Sequence, residues 1–506
     1  MMLPSPSSSP PRPLAFNDST NIPRKSEATN SGSSSSWLQL PTPPKNWKRP
    51  SSERNETPSK RVKLTKDEES SDEEEDAWIE KSRKRFKRTQ ANPLSLTRSS
   101  LFSSHNTPST RPILESFVSA NKADLFRCDS IEDQFLTPPY ACSYSHAAKS
   151  GGIPLLAVST EEGTVHIFNT IRRGELDPEP SRTTLRPHEN GIYAVKWSPS
   201  DGYLATASAD RSLRISSTAT SQLLHTFQHH TASIKQVAWH PSCESIVATG
   251  GRDGTIFIWD LRDATSSPAF SIRDAHETLT ANGRRSKNQT HKVVTNLIFN
   301  EDMSLTSSGS CDGILRRWDI RFLSDSNVRR PTKSKRFIPS AYSPSDPTTS
   351  YTSSRCRGIL SLTPGQGPTS GLLFALGADS RIHTYNSSSL VALPINFTDP
   401  NMHVNGSFYI SSALSPCGRW LANGGRESAF LFDVATAARP FAQGTRAVEL
   451  KAQRGEACGV DWAEGMLATC ADDMTVRVWR PDVDVYRDCV EDPEAMKWKW
   501  SWSSRR

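Results

Sequence analysis

One spacing recurs along this 506-residue chain and limits what it can fold into. A short run of β-branched and apolar residues ends in a turn acid, and an aromatic residue follows that acid by six positions. The offset is plain at Asp253/Trp259, Asp312/Trp318 and Asp473/Trp479, within segments 246–260, 305–319 and 467–479. It survives with substitutions at Glu162/Phe168, Asp210/Ser216, Asp379/Tyr385 and Arg426/Phe432. The seven anchors, at 168, 216, 259, 318, 385, 432 and 479, are separated by 48, 43, 59, 67, 47 and 47 residues. A four-stranded propeller blade takes about 40–45 residues, so the two long gaps predict loop insertions near 263–290 and 322–357. One such unit cannot bury its apolar face alone, but a ring of them can. The expectation is an all-β, seven-bladed propeller.

The residue types fit that ring. The hairpin between the second and third strands of a blade needs a turn residue whose side chain accepts hydrogen bonds. The aromatic at the end of the third strand fills the gap between blades. His188, His230 and His291 enter ahead of first strands, as in WD40 proteins, where such a His joins the turn Asp, a hydroxyl and the Trp in a buried network. His188, Asp210, His230, Asp253, Trp259, His291, Asp312, Trp318, Asp473 and Trp479 are therefore read as structural. Ser216 and Arg426 interrupt the pattern, so the second and sixth blades are expected to be the least regular. Closing the ring requires a strand from upstream of Tyr140 to complete the last blade, since otherwise an edge stays open. Residues 112–119 and 124–128 are the candidates.

Composition divides the rest. The first 60 residues hold 14 Ser and 11 Pro, too little apolar surface to offset the entropy of ordering. The reading is a disordered arm over 1–110, a connecting arm over 111–139, the propeller over 140–481 and a tail over 482–506. The arm contains Pro58-Ser59-Lys60-Arg61-Val62-Lys63-Leu64, which resembles a nuclear import signal, and a second basic cluster at Arg83, Lys84 and Arg85. An acidic run over 67–76 lies between them. Ser5-Pro6, Thr42-Pro43, Thr57-Pro58 and Thr107-Pro108 suit proline-directed kinases, and Ser70-Ser71 an acidophilic one. A net charge of +7 is too mild for a dedicated nucleic-acid binder, and nine scattered Cys without a C-x-x-C pair suggest reduced thiols in an intracellular protein. No apolar run approaches the roughly 18 residues of a membrane helix. Phosphate-loop, zinc-protease, nucleophile-elbow and paired-cysteine zinc motifs are missing from the sequence, so neither catalysis nor a cofactor or metal is expected. The closing Lys497-Trp498-Lys499-Trp500-Ser501-Trp502 could stack on nucleic acid, dock on a partner or pack against the propeller.

Two further motifs bear on partners. The third and fourth blades end in Trp259-Asp260-Leu261-Arg262 and Trp318-Asp319-Ile320-Arg321. A rim Arg of this kind can be solvated or paired with a neighbouring blade's acid. Two consecutive copies favour a docking role, for which a planar guanidinium with fixed donors is suited. Together with 155–163, 249–254, the insertion starting at Asp274-Ala275-His276, the basic loop after Arg321 and the segment 407–416, they make the chain similar to the denticleless family, in order from about Pro138 to Pro481. That resemblance implies a substrate receptor of the cullin-4 ubiquitin ligase. Members hold the ligase's adaptor, its large DNA-damage-binding subunit, and present licensing factors bound to the DNA sliding clamp (PCNA) for ubiquitination. It makes Arg262 and Arg321, with Asp260 and Asp319, adaptor-contact candidates. Animal members carry a long C-terminal tail with a clamp-binding motif, whereas here about 25 residues follow the last blade and that motif is not found. The competing expectation is a nuclear or chromatin WD40 scaffold unconnected to ubiquitin.

Overall fold

Each repeat folds as an antiparallel meander, because its strand-forming runs are separated by turns too short for a crossover. The computed structural model describes residues 110–131, 135–174, 176–263, 266–276, 292–321, 338–350, 355–404, 409–439 and 444–504. The basic clusters at Lys60, Arg61, Lys63, Arg83, Lys84 and Arg85 and most of both insertions lie outside them.

Five four-stranded sheets account for blades 1 to 5, and a ten-stranded sheet joins blades 6 and 7. The innermost strands, in blade order, are Pro139–Tyr144, Ile192–Trp197, Ile234–His240, Val294–Phe299, Ile359–Pro364, Ser412–Leu414 and Ala457–Ala463. Each packs beside the next, and Ala457–Ala463 packs beside Pro139–Tyr144, so the ring is closed. Apolar residues fill the space between neighbouring blades. The seam between the last and first blades, for example, buries Phe126, Tyr144, Leu156, Phe168 and Val478.

Closure uses both candidate segments. In the last blade the third strand, Thr475–Pro481, pairs with Phe117–Ala120 (Phe117 opposite Pro481) and with Leu125–Arg127 (Phe126 opposite Val476). The C-terminal segment then adds a strand that the sequence reading placed in a tail. Trp500–Ser504 pairs on one side with Phe117–Ala120 and on the other with Val448–Leu450, the outer strand of blade 6. Of the three roles weighed for the Trp-rich ending, packing against the propeller is the one observed.

The expectation for irregular blades holds for one of the two. Blade 6 has the shortest inner strand of the ring, Ser412–Leu414. Blade 2 is regular despite Ser216, with strands Ile192–Trp197, Tyr203–Ser208, Leu213–Ser217 and Leu223–Phe227. Its ladder and its His188–Asp210 contact at 2.8 Å do not need the missing aromatic.

Candidate functional site

Strand register assigns residues to the two faces of the ring. In blade 3 the inner strand begins opposite the Asp253 turn, with Ile234 facing Gly251. The third strand runs away from that turn, and its last residue, Asp260, faces Ile246. Turn acids and the starts of inner strands therefore share one face, while Arg262 and Arg321 stand on the other.

These two arginines adopt the same geometry. Arg262 donates from Nε to Asp260 Oδ1 at 2.9 Å and from Nη2 to Oδ2 at 2.6 Å, and its backbone N–H also reaches Oδ1 at 3.0 Å. Arg321 repeats the set on Asp319 at 3.0, 2.6 and 3.0 Å. Both side chains are exposed, at 67% and 57%. The hydrogen-bonding guanidinium holds each Asp carboxyl below its ordinary range. In each fork the Nη1 edge of the guanidinium takes no part in the bond to its Asp. A long, rotamer-rich side chain is thereby fixed before any partner arrives, which lowers the entropy cost of using it in an interface. Pairing with the Asp two residues earlier, rather than with a neighbouring blade, was not evident from the sequence.

On the opposite face lie the networks read as structural. Blade 3 has the complete set: His230 Nδ1 is 3.0 Å from Asp253, His230 Nε2 is 2.9 Å from the Thr249 hydroxyl, and Trp259 donates to that hydroxyl at 2.9 Å. Blade 2 keeps His188, Asp210 and Thr206, with His188 Nε2 2.9 Å from Thr206 Oγ1. In blade 4 Trp318 donates to Ser307 at 2.9 Å, and the imidazole reaching Ser307 belongs to His276, also at 2.9 Å. His291 lies outside the described residues. Burial, with Arg316 and Lys292 nearby, holds His276 well below the usual imidazole range, so it stays neutral. Asp312 does not complete this network; neither of its carboxylate oxygens has a hydrogen-bond partner among the described residues, and Arg316 stands 3.9 Å away.

Blade 7 replaces the His by an amide. Trp479 donates to Thr469 at 3.0 Å, Thr469 donates to Gln453 Oε1 at 2.5 Å, and Gln453 Nε2 donates to Thr475 Oγ1 at 3.0 Å. Asp473 accepts from the Thr475 hydroxyl at 2.6 Å. In blade 5 the imidazole comes from the third strand itself, with His383 Nε2 2.9 Å from Asp379. Every turn acid the sequence singled out in these blades is thus engaged in holding its blade, with Asp312 the exception. The structure brings Arg262, Asp260, Arg321 and Asp319 together on one rim and keeps them apart from the networks.

Comparison with known proteins agrees with the repeat and the ring. The WD domain, G-beta repeat family matches residues 179–215 and 221–260. The Denticleless protein homolog of Danio rerio is 30% identical over 359 residues, covering 68% of this chain and 52% of the relative. The human Denticleless protein homolog is 30% identical over 363 residues, covering 68% and 46%. Protein lethal(2)denticleless of Drosophila melanogaster is 28% identical over 354 residues, covering 65% and 43%. The chain thus spans about half the length of the curated relatives it matches. The likeness runs across vertebrate and insect proteins and reaches well beyond the two matched repeats. The chain belongs to the denticleless family of WD40 proteins.

Proposed function

We propose that this chain is a non-catalytic substrate receptor of a cullin-4 ubiquitin ligase, acting in the nucleus. One observation carries the reading: two consecutive blades present identical, exposed Asp–Arg forks on one rim of a closed ring. Among the described residues the corresponding positions of the other blades hold no such fork: they are Asn169/Ile171, Ser217/Ala219, Asn386/Ser388, Asp433/Ala435 and, in reversed order with each side chain paired elsewhere, Arg480/Asp482. A repeated, pre-oriented guanidinium suits a flat protein interface, where Arg is enriched among the residues that dominate binding. The partner on that rim is the ligase's large DNA-damage-binding adaptor. The substrates are replication and cell-cycle proteins, licensing factors bound to the sliding clamp among them. The receptor works by proximity, raising the effective concentration of substrate lysines at the ligase. Nuclear entry is assigned to Lys60, Arg61 and Lys63 with Arg83, Lys84 and Arg85.

The test is recovery of the purified adaptor by wild type and by the Arg262→Ala/Arg321→Ala double variant. Each truncation is expected to cost on the order of 2 kcal/mol, so the double variant should lose adaptor binding while its unfolding curve stays that of wild type. Equal recovery by both chains would sink the docking assignment. Asp260→Asn/Asp319→Asn separates orientation from contact: it leaves both guanidinium groups in place but loosens them, and should weaken binding less than the Ala pair.

A further inference from the structure

Six of the seven inner strands share a defect that selects one residue from each; Ser412–Leu414 of blade 6 pairs without it. The ladder slips between Pro139 and Ala141, Ile192 and Ala194, Ile234 and Gln236, Val294 and Asn296, Ile359 and Ser361, and Ala457 and Gly459. A bulged residue leaves its ladder, and its side chain is re-aimed. The six residues skipped are Tyr140, Tyr193, Lys235, Thr295, Leu360 and Cys458. They hold equivalent positions around the ring, near the face that carries the turn acids and away from Arg262 and Arg321. Tyr193, Lys235, Thr295 and Leu360 line a central channel of about 550 Å³.

Lys235 is the one full charge in this layer, and it is only 6% exposed. Its ammonium makes no hydrogen bond or ion pair with any described residue. The neighbouring layer groups are already committed. Thr295 donates to the Ile359 carbonyl at 2.5 Å, and the Cys458 thiol points to the Pro139 carbonyl at 3.0 Å. Burial keeps that thiol neutral by pushing its pKa far up. Tyr193 stacks in parallel with Tyr140 and Tyr409, ring centres 5.8 and 6.4 Å apart.

The rest of the channel does not supply a counter-charge. Three lysines line it, Lys149, Lys196 and Lys235, against one carboxylate, Asp461. Asp461 is spoken for: Lys149 lies 3.0 Å from it, and the Tyr144 amide donates to it at 2.8 Å. Lys196 is the other cation in its field. Burial disfavours the charged form of an unpaired ammonium, and an anion reaching it through the channel offsets that penalty. Burial lowers the Lys235 pKa to about 7, so near neutral pH it divides between charged and neutral forms and an anion would draw it to the charged one.

We propose that the channel binds one small oxyanion group, of the sulfate/phosphate or carboxylate kind, against Lys235. The cationic excess of the lining selects an anion, and the depth of Lys235 restricts the site to a group that can shed its water on entry. The inference is independent of any ligase assignment, since it uses neither fork.

Thermal unfolding of the full chain at pH 7 tests it, comparing millimolar sulfate and acetate with chloride at matched ionic strength. Wild type should show a saturable rise of a few degrees in one of the two oxyanions, because a ligand bound only by the native state stabilises it. Preference for sulfate indicates a free tetrahedral anion or phosphoryl group, and preference for acetate indicates a carboxylate such as an acidic side chain. Lys235→Met should unfold in chloride at or above the wild-type temperature, having lost an uncompensated charge, and should not respond to either anion. A wild type indifferent to both anions, or a full response retained by Lys235→Met, overturns the site. If Lys235→Met does not fold, sulfate titrated into wild type at pH 6.5 and pH 8.5 decides: binding must weaken at the higher pH, where Lys235 is neutral, and equal affinity overturns the proposal.

Discussion

The Trp259 indole N–H and the Thr249 hydroxyl, ten residues apart and both fully buried, meet at 2.9 Å across one hairpin, and His230 reaches the same hydroxyl from outside it. One oxygen therefore satisfies two buried groups. Thr249→Val keeps the shape and removes that oxygen, leaving Trp259 Nε1 and His230 Nε2 without partners. The expected loss is about 2–4 kcal/mol by urea denaturation, the desolvation cost of two orphaned groups. In blade 2 the corresponding Thr206→Val orphans His188 but no indole, because Ser216 stands where the Trp would be. It should cost roughly half as much. Equal costs at the two positions would contradict the network reading.

The C-terminal strand offers a second test. Trp500–Ser504 lies between Phe117–Ala120 and Val448–Leu450, so one strand covers two sheet edges. Ser501 donates to Asn121 at 2.8 Å, and the largely buried Arg477 donates to both Asn121 and Ser501. Removing 498–506 opens both edges and takes one partner from Arg477. The melting temperature should fall by several degrees, and hydrogen exchange should accelerate at the amides of Val448–Leu450 and Phe117–Ala120 rather than throughout the ring. Unchanged protection at those amides would mean that the strand is not held as described.

Much of this architecture was legible because the repeat is local. The six-residue offset from turn acid to aromatic spans a single hairpin, so covalent geometry fixes it in every blade, and the count of seven followed from it. The third partner of each network arrives from the connection between blades, whose length varies with the insertions. Distance along the chain therefore could not identify His276 ahead of blade 4 or Gln453 ahead of blade 7. His383 was hidden for a different reason: it comes from the third strand, where no His was sought. Both ring-closing segments were visible as strand-like stretches, but their pairing with one strand depends on contacts more than 300 residues distant. The two rim arginines could be read from W-D-x-R, whereas the fork to the preceding Asp is a matter of side-chain geometry. Lys235 carried no signal at all in one dimension, since only the bulge and the ring give it an axial position.

Asp253 and Asp312 occupy the same turn position in adjacent blades and should respond oppositely to pH. For Asp253, burial alone would raise the carboxyl, but hydrogen bonding to His230 and the amides of Thr255 and Thr231 outweighs it, and the pKa falls below the ordinary 3.8. A lowered native pKa means stability that is present above the unfolded value and is lost as pH falls through the native one. For Asp312, burial is the largest effect, Arg316 offsets only part of it, and the pKa is raised. The native state then binds the proton more tightly than the unfolded chain, so a penalty sets in as pH rises above 3.8 and is complete beyond the native pKa. Asp312→Asn should therefore stabilise the protein at pH 7, with a gain that shrinks towards pH 4. Asp253→Asn should destabilise it at pH 7 by about 2 kcal/mol, the cost of weakening a charge-assisted buried hydrogen bond, and that loss should shrink as the pH falls. Urea unfolding of the three chains between pH 4 and 7 measures the Asp312 trend, and extending it down to about pH 2 measures the Asp253 trend. A destabilised Asp312→Asn would show that the carboxylate at this turn is held by contacts as good as those of Asp253.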